Sequence, residues 1–132
     1  MTSTNQNQLF QNDVKGFWNE IYTQSEQWLH HIKYIHYELG FYKDLFNNSE
    51  DQKIQKFASE YAHKVTEFLD QLSSIKSRIE GDKNKLDCWL SDDCDIDINE
   101  FTNKYNQLEE TYNLFRLQWR DLKKKLFDFY TE

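Results

Sequence analysis

The chain of 132 residues contains no proline and only three glycines. Proline breaks the interior of a helix and glycine weakens it, so their scarcity permits very long helices. Three scattered glycines also exclude a glycine-rich phosphate-binding loop, and no G-x-S-x-G nucleophile motif is present. Apolar runs reach only two or three residues, far below the roughly 20 that span a bilayer. We therefore predict an all-α protein with no membrane segment.

Signals for export and for binding of polyanions are also missing. The N-terminal segment MTSTNQNQ has neither the basic region nor the apolar stretch of a signal peptide, so we expect a soluble, cytoplasmic protein. In that compartment Cys88 and Cys94 are expected to be free thiols, although their spacing would allow a disulfide. The net charge of −7 disfavours nucleic acid and anionic membranes, and it favours a basic protein partner.

What the chain does contain is aromatic residues, at 17%, together with a regular spacing of apolar positions. Apolar residues recur every three or four positions in three stretches, which is the spacing of one helix face. The first stretch is interrupted only at Ser25 and the second only at Asp82, beside Gly81, where a helix could bend or break. The third is unbroken and comprises Ile98, Phe101, Tyr105, Leu108, Tyr112, Phe115, Trp119, Leu122, Leu126 and Phe129.

Two capping signals separate these stretches. Ser49 and Gln52 have the S-x-x-Q spacing of a capping box, and Asp97 and Glu100 have the equivalent D-x-x-E spacing. They predict helices at about 9–46, 50–90 and 97–130, after a flexible polar tail at residues 1–8. Short turns make neighbouring helices antiparallel, so residues 9–132 should form one domain, an up-down-up three-helix bundle of long coiled-coil-like helices. In outline this resembles spectrin-like repeats. A larger bundle built from two chains is the competing arrangement.

Motifs that could carry chemistry are incomplete. Glu60 and His63 form one E-x-x-H motif of the di-iron type, but their phase places them on the outer face of the second helix. A loop starting at Asp93 resembles a calcium-binding loop, yet it has Ile98 where a sharp turn needs glycine and Lys104 where a bidentate glutamate is needed. We therefore expect no metal, no cofactor and no enzymatic activity.

In each of the three stretches the regularly spaced apolar residues form one line along the helix, which we call its seam. A few apolar residues lie outside the three seams. Tyr34, Tyr37 and Phe41 are spaced i, i+3, i+7 on the side of helix one opposite its seam, and Leu114 and Leu117 lie outside the seam of helix three. Because helices one and three run parallel in the bundle, the two groups should fall at similar levels and form one exposed patch. Exposed apolar surface rich in aromatics marks interfaces, although tyrosines can also lie flat on a bundle with their hydroxyls in water.

From this patch we predict a non-enzymatic protein–protein interaction module, such as an adaptor, an immunity-type inhibitor or an assembly subunit. Its partner would be a basic protein or a second copy of the chain, as a homodimer. The alternative is a bundle that binds a small apolar ligand or a metal in its core, where seam tyrosines, Ser25 and Asp82 would supply the polar groups.

Overall fold

The three apolar seams become three α-helices. In the computed structural model, which describes the backbone of residues 2–131 and the side chains of residues 15–129, these are α1 (Thr2–Asn48), α2 (Gln52–Leu90) and α3 (Ile98–Thr131). At 1.5 Å per residue they are roughly 70, 58 and 51 Å long. No strand occurs within the described backbone, so the predicted all-α three-helix bundle is confirmed.

The observed start of α1 differs from the predicted one. The helix begins at Thr2 rather than near residue 9. The backbone of residues 2–8, which the sequence predicted to be a flexible tail, belongs to α1, and the side chains of these residues lie outside the described part of the chain. Further along, α2 runs through Gly81 to Leu90 as one helix, so the break that the sequence allowed there does not occur.

The turn between α1 and α2 uses a different cap from the predicted one. Asp51, with extended backbone (φ −67°, ψ 122°), is the N-cap, and its carboxylate accepts the Lys53 amide at 2.8 Å. The Ser49 hydroxyl instead accepts the amide of Asp51 at 3.2 Å. Helix α2 therefore begins at Gln52 and not at residue 50, because the carboxylate directly before the helix is the one that reaches its exposed amides.

The predicted cap of α3 is present. The Asp97 carboxylate accepts the amide of Glu100 at 3.1 Å, and the Asp97 carbonyl accepts the amide of Phe101 at 2.9 Å. The first bond satisfies an amide that has no partner within the first turn of a helix, and the second is the first regular backbone bond of α3. Helix α3 consequently begins at Ile98, one residue after the predicted start at about 97.

The expectation of free thiols is wrong in this structure, which joins Cys88 and Cys94 as a disulfide. Asp92 has a left-handed backbone (φ 59°), which reverses the chain just after α2. The amide of Asp93 then bonds back to the Cys88 carbonyl at 2.9 Å. This reversal brings the two cysteine Cα atoms to 5.5 Å, within the range of disulfides, so the local fold of the turn decides the pairing.

The core follows the predicted seams from one end of the bundle to the other. At one end the Trp18 ring packs edge-on against Trp89 of α2 and Phe101 of α3, at 6.1 and 4.8 Å between ring centres. At the other end Phe57 of α2, which the predicted seam did not include, packs against Phe46 of α1 at 5.8 Å and stacks on Phe129 of α3 at 3.9 Å. These contacts join the beginning of α1 to the end of α2, as antiparallel neighbours require.

Helices α1 and α3 are held apart by aromatic rings. Trp28 of α1 stacks on Tyr105 at 5.5 Å and lies against Tyr112 at 5.1 Å. Throughout the described residues the Cα atoms of α1 and α3 stay more than 8 Å apart, whereas α2 comes within that distance of both. The side of the bundle between α1 and α3 is therefore wide, and side chains rather than close backbones close it.

Candidate interaction surface

Three large side chains stand on the outside of α1. Tyr34, Tyr37 and Phe41 are 57%, 69% and 61% exposed, while the seam residues Ile32 and Leu39 on the other side of the helix are buried. The cause is the helical period, because residues spaced i, i+3 and i+7 share one face and this face is opposite the core. We call these three residues the α1 stripe.

Neighbouring rings support both ends of the α1 stripe. The ring of Tyr34 lies edge-on to His30 at 5.1 Å, and the ring of Phe41 lies edge-on to Tyr42 at 5.5 Å. Tyr42 is itself partly buried against the core. Edge-to-face pairs of this kind favour one relative orientation of the rings, so the stripe presents shaped aromatic surface at fixed points of a helix.

Two contacts between α1 and α3 show which residues of α3 lie beside the stripe. Trp28 lies level with Tyr112, and Glu38 pairs with Lys123 at 2.9 Å. Leu117 lies between these two contacts along α3, and Tyr34 lies between them along α1. Leu117 is half exposed, so an apolar side chain stands at the surface of α3 at the level of Tyr34.

Leu114 takes a different position. It is also half exposed, but it borders a groove between α2 and α3 together with Ser74 and Arg78. The two predicted leucines therefore lie on different flanks of α3, and the one at position 114 lies beside α2. The five residues singled out by the sequence are all at the surface, and the three on α1 form its compact part.

The charges around the stripe are mixed. Glu38 is occupied by its ion pair with Lys123. Lys33 and Asp44 are exposed, and within the described side chains neither belongs to an ion pair. The stripe is thus flanked by one cation toward its N-terminal end and one anion toward its C-terminal end, both available to a partner.

Sequence reasoning missed other exposed apolar residues. Phe17 and Phe127 are 50% and 63% exposed, and Ile98, which the sequence placed in the third seam, is 46% exposed. Ile98 is the first residue of α3, one turn before the buried seam residue Phe101. Phe17 packs edge-on against Trp18 at 5.2 Å. It is an apolar residue outside the seam of its helix, which is the signal that identified Tyr34, so the sequence could have identified Phe17 as well.

Two tyrosine hydroxyls of the core differ in their hydrogen bonding. Tyr105 donates to the side-chain oxygen of Gln24, and burial, with Glu109 and Asp82 nearby, raises the pKa of Tyr105 to about 12. The Tyr112 hydroxyl is fully buried and has no hydrogen-bond partner among the described residues. Burial also raises the pKa of Tyr112. One buried polar group of the core is therefore satisfied and the other is not.

The candidate metal motif lies in solvent. His63 is 3.1 Å from Glu67, the residue one turn further on, and both side chains are largely exposed. Among the described residues no three His, Cys, Asp or Glu side chains are grouped so that they could hold a metal ion. Nor does any described helical segment have the length and apolar character that crossing a bilayer requires.

Comparison with known proteins adds no further constraint. No protein-family model, curated protein or solved structure matches the chain.

Proposed function

We propose that the protein is a non-enzymatic interaction module that binds another protein through the α1 stripe, with Leu117 of α3 at the side of the contact and Leu114, beside α2, outside it. The observation that carries this proposal is the exposure of three large aromatic side chains, 57% to 69%, on one face of one helix. Tyrosine is enriched among the residues that dominate binding energy, and exposed apolar patches mark interaction sites.

The size of the stripe is sufficient for binding. An aromatic side chain can bury about 150–250 Å², so at the observed exposures the three rings offer roughly 400 Å². At about 25 cal/mol per Å² their burial is worth on the order of 10 kcal/mol, before the 4–15 kcal/mol that association costs. The stripe can thus anchor a complex when the residues around it contribute as well.

The test is a double variant, Tyr37→Ser with Phe41→Ser, compared with Phe17→Ser as a matched control. The control also removes an exposed aromatic from α1, but outside the stripe. If wild type self-associates, we expect the double variant to be a monomer and the control to self-associate as wild type does. If wild type instead retains other proteins from a cell extract, we expect the double variant to lose these proteins and the control to retain them. Helicity by circular dichroism should be equal in all three because the replaced side chains are exposed. A double variant with the solution mass and the bound proteins of wild type would contradict the proposal.

A second candidate function is a bundle that holds a small molecule in its core. The buried Tyr112 hydroxyl without a partner favours it, because such a group is a ready site for a polar atom of a ligand. Native mass spectrometry of purified protein separates the two candidates. A bound mass that Tyr112→Phe removes would support the core ligand, and the bare mass of the chain in wild type would argue against it.

A further inference from the structure

We infer that the partner of the α1 stripe is a second copy of this chain, in a two-fold symmetric dimer whose α1 helices cross antiparallel at Tyr37. This inference rests on the proposed function, because it names the partner for the same surface. Three features of the stripe support it, namely its spacing, its flanking charges and its area.

The spacing of the stripe is nearly symmetric about its own centre. Tyr34 precedes Tyr37 by three residues and Phe41 follows it by four. In a two-fold contact the same patch meets itself, so a central residue faces its own copy and the flanking residues exchange partners. With antiparallel helices, Tyr37 meets Tyr37 of the second copy, and Tyr34 meets Phe41 of the second copy at both ends. A stripe with this spacing is complementary to itself.

The flanking charges distinguish an antiparallel crossing from a parallel one. Lys33 and Asp44 lie on opposite sides of Tyr37 along α1 and are eleven residues apart, close to three full turns, so they share one flank of the stripe. An antiparallel crossing places Asp44 of one copy within a turn of Lys33 of the other, twice by symmetry. A parallel two-fold crossing would place Lys33 and Asp44 of one copy on the opposite side of the contact from those of the other copy, so no pair of opposite charges would form. Since neither residue has an ion-pair partner in the described chain, both remain available for this contact.

The area is also close to what a stable dimer needs. Standard interfaces bury about 1,200–2,000 Å² in total. The two stripes supply roughly 800 Å² of this, from about 400 Å² per copy. The side chains that border the stripe, including the stem of Lys33 and Leu117 of α3, need to add only about 200 Å² per copy to reach the lower limit.

The solution mass tests the inference directly. We would measure it by light scattering across a concentration series at low and high salt, where a dimer has twice the 16.2 kDa of the chain. Each copy carries a net charge of −7, so screening of the overall repulsion should strengthen the dimer at high salt. Tyr37→Ser with Phe41→Ser should give a monomer, and Phe17→Ser should remain a dimer. Wild type with a monomer mass at all concentrations and both salts would overturn the inference.

A charge swap tests the antiparallel crossing. Lys33→Glu should weaken the dimer at low salt by roughly ten-fold in Kd, because it places an acidic residue opposite Asp44 in two symmetric pairs. Adding Asp44→Lys to Lys33→Glu should restore the wild-type Kd to within a few-fold. An equal loss in the single and the double charge variant would overturn the antiparallel crossing.

The outcomes separate this inference from the proposed function. A monomeric wild type that retains another protein through the stripe would overturn the dimer and leave the interaction module standing. A monomer whose stripe variants lose nothing would overturn both. A dimer that dissociates in the stripe variant but not in the control supports both.

Discussion

Replacing Tyr112 with phenylalanine should stabilise the bundle. The side chain is 0% exposed, and its hydroxyl has no hydrogen-bond partner among the described residues. A buried polar group without a partner costs about 1–3 kcal/mol, because it loses its hydrogen bonds to water and gains none in the protein. Tyr112→Phe removes that cost and keeps the ring that lies against Trp28 at 5.1 Å.

The expected gain is about 1–2 kcal/mol in the free energy of unfolding, which for a chain of this length raises Tm by about 3–8 °C. Urea unfolding followed by circular dichroism measures it as a higher midpoint at unchanged slope. The matched control is Tyr105→Phe, the same chemical change one heptad earlier on the same helix. Because the Tyr105 hydroxyl donates to Gln24, its loss should destabilise the protein by about 0.5–1.5 kcal/mol.

The opposite signs expected for the two variants make the test strict. If Tyr112→Phe destabilised the protein as much as Tyr105→Phe does, the Tyr112 hydroxyl would have a partner in solution. A buried water or a bound molecule would then satisfy it, and the core-ligand function would gain support over the interaction module. An unchanged midpoint would mean that the reasoning about an unpaired hydroxyl fails at this site.

Two further predictions concern the core at high pH and the start of α3. The folded pKa of Tyr105, about 12, lies above its ordinary value of 10.0, so the stability contributed by the neutral phenol is complete below pH 10 and is lost as the pH rises to 12. Tyr105→Phe should therefore flatten the alkaline decline in unfolding free energy; a variant with the same pH profile as wild type would contradict this assignment. Asp97→Ala should cost about 1 kcal/mol and speed amide exchange at Glu100, because the Asp97 carboxylate caps α3. Asp95→Ala, next to the cap, should change neither, and equal losses in the two variants would show that the cap contributes nothing.

The fold could be predicted because its main determinant is local. A helix period repeats every few residues, so the burial of Leu39 or Leu108 follows from spacing alone, whichever helix packs against it. The cap of α2 could not be decided in the same way, since Ser49 and Asp51 are both good capping residues. The backbone conformation at the turn selects Asp51. The disulfide likewise depends on the left-handed conformation of Asp92, which no residue pattern specified.

The candidate surface was predictable on α1 and only partly on α3. The α1 stripe lies opposite the seam of its own helix, so a single helix is enough to infer its exposure. The position of Leu114 depends on how α3 is rotated against α2, and that rotation is set by tertiary contacts such as the edge-to-face packing of Phe68 on Phe115 at 5.4 Å. Spacing along one helix contains no information about this angle.

The spacing between α1 and α3 links the core to the surface. Trp28 and Tyr105 stack between the two helices, and the Glu38–Lys123 pair crosses the gap with the ends of two long side chains. Glu38 lies on the side of α1 from which a long side chain reaches Lys123, whereas Tyr34 and Phe41 lie on the face opposite the core and remain more than half exposed. A core of smaller residues would allow α3 to approach α1, and it would shorten the gap that this ion pair crosses. The large rings inside the bundle therefore determine the distance between α1 and α3, while the exposure of the α1 stripe follows from its position opposite the seam of its own helix.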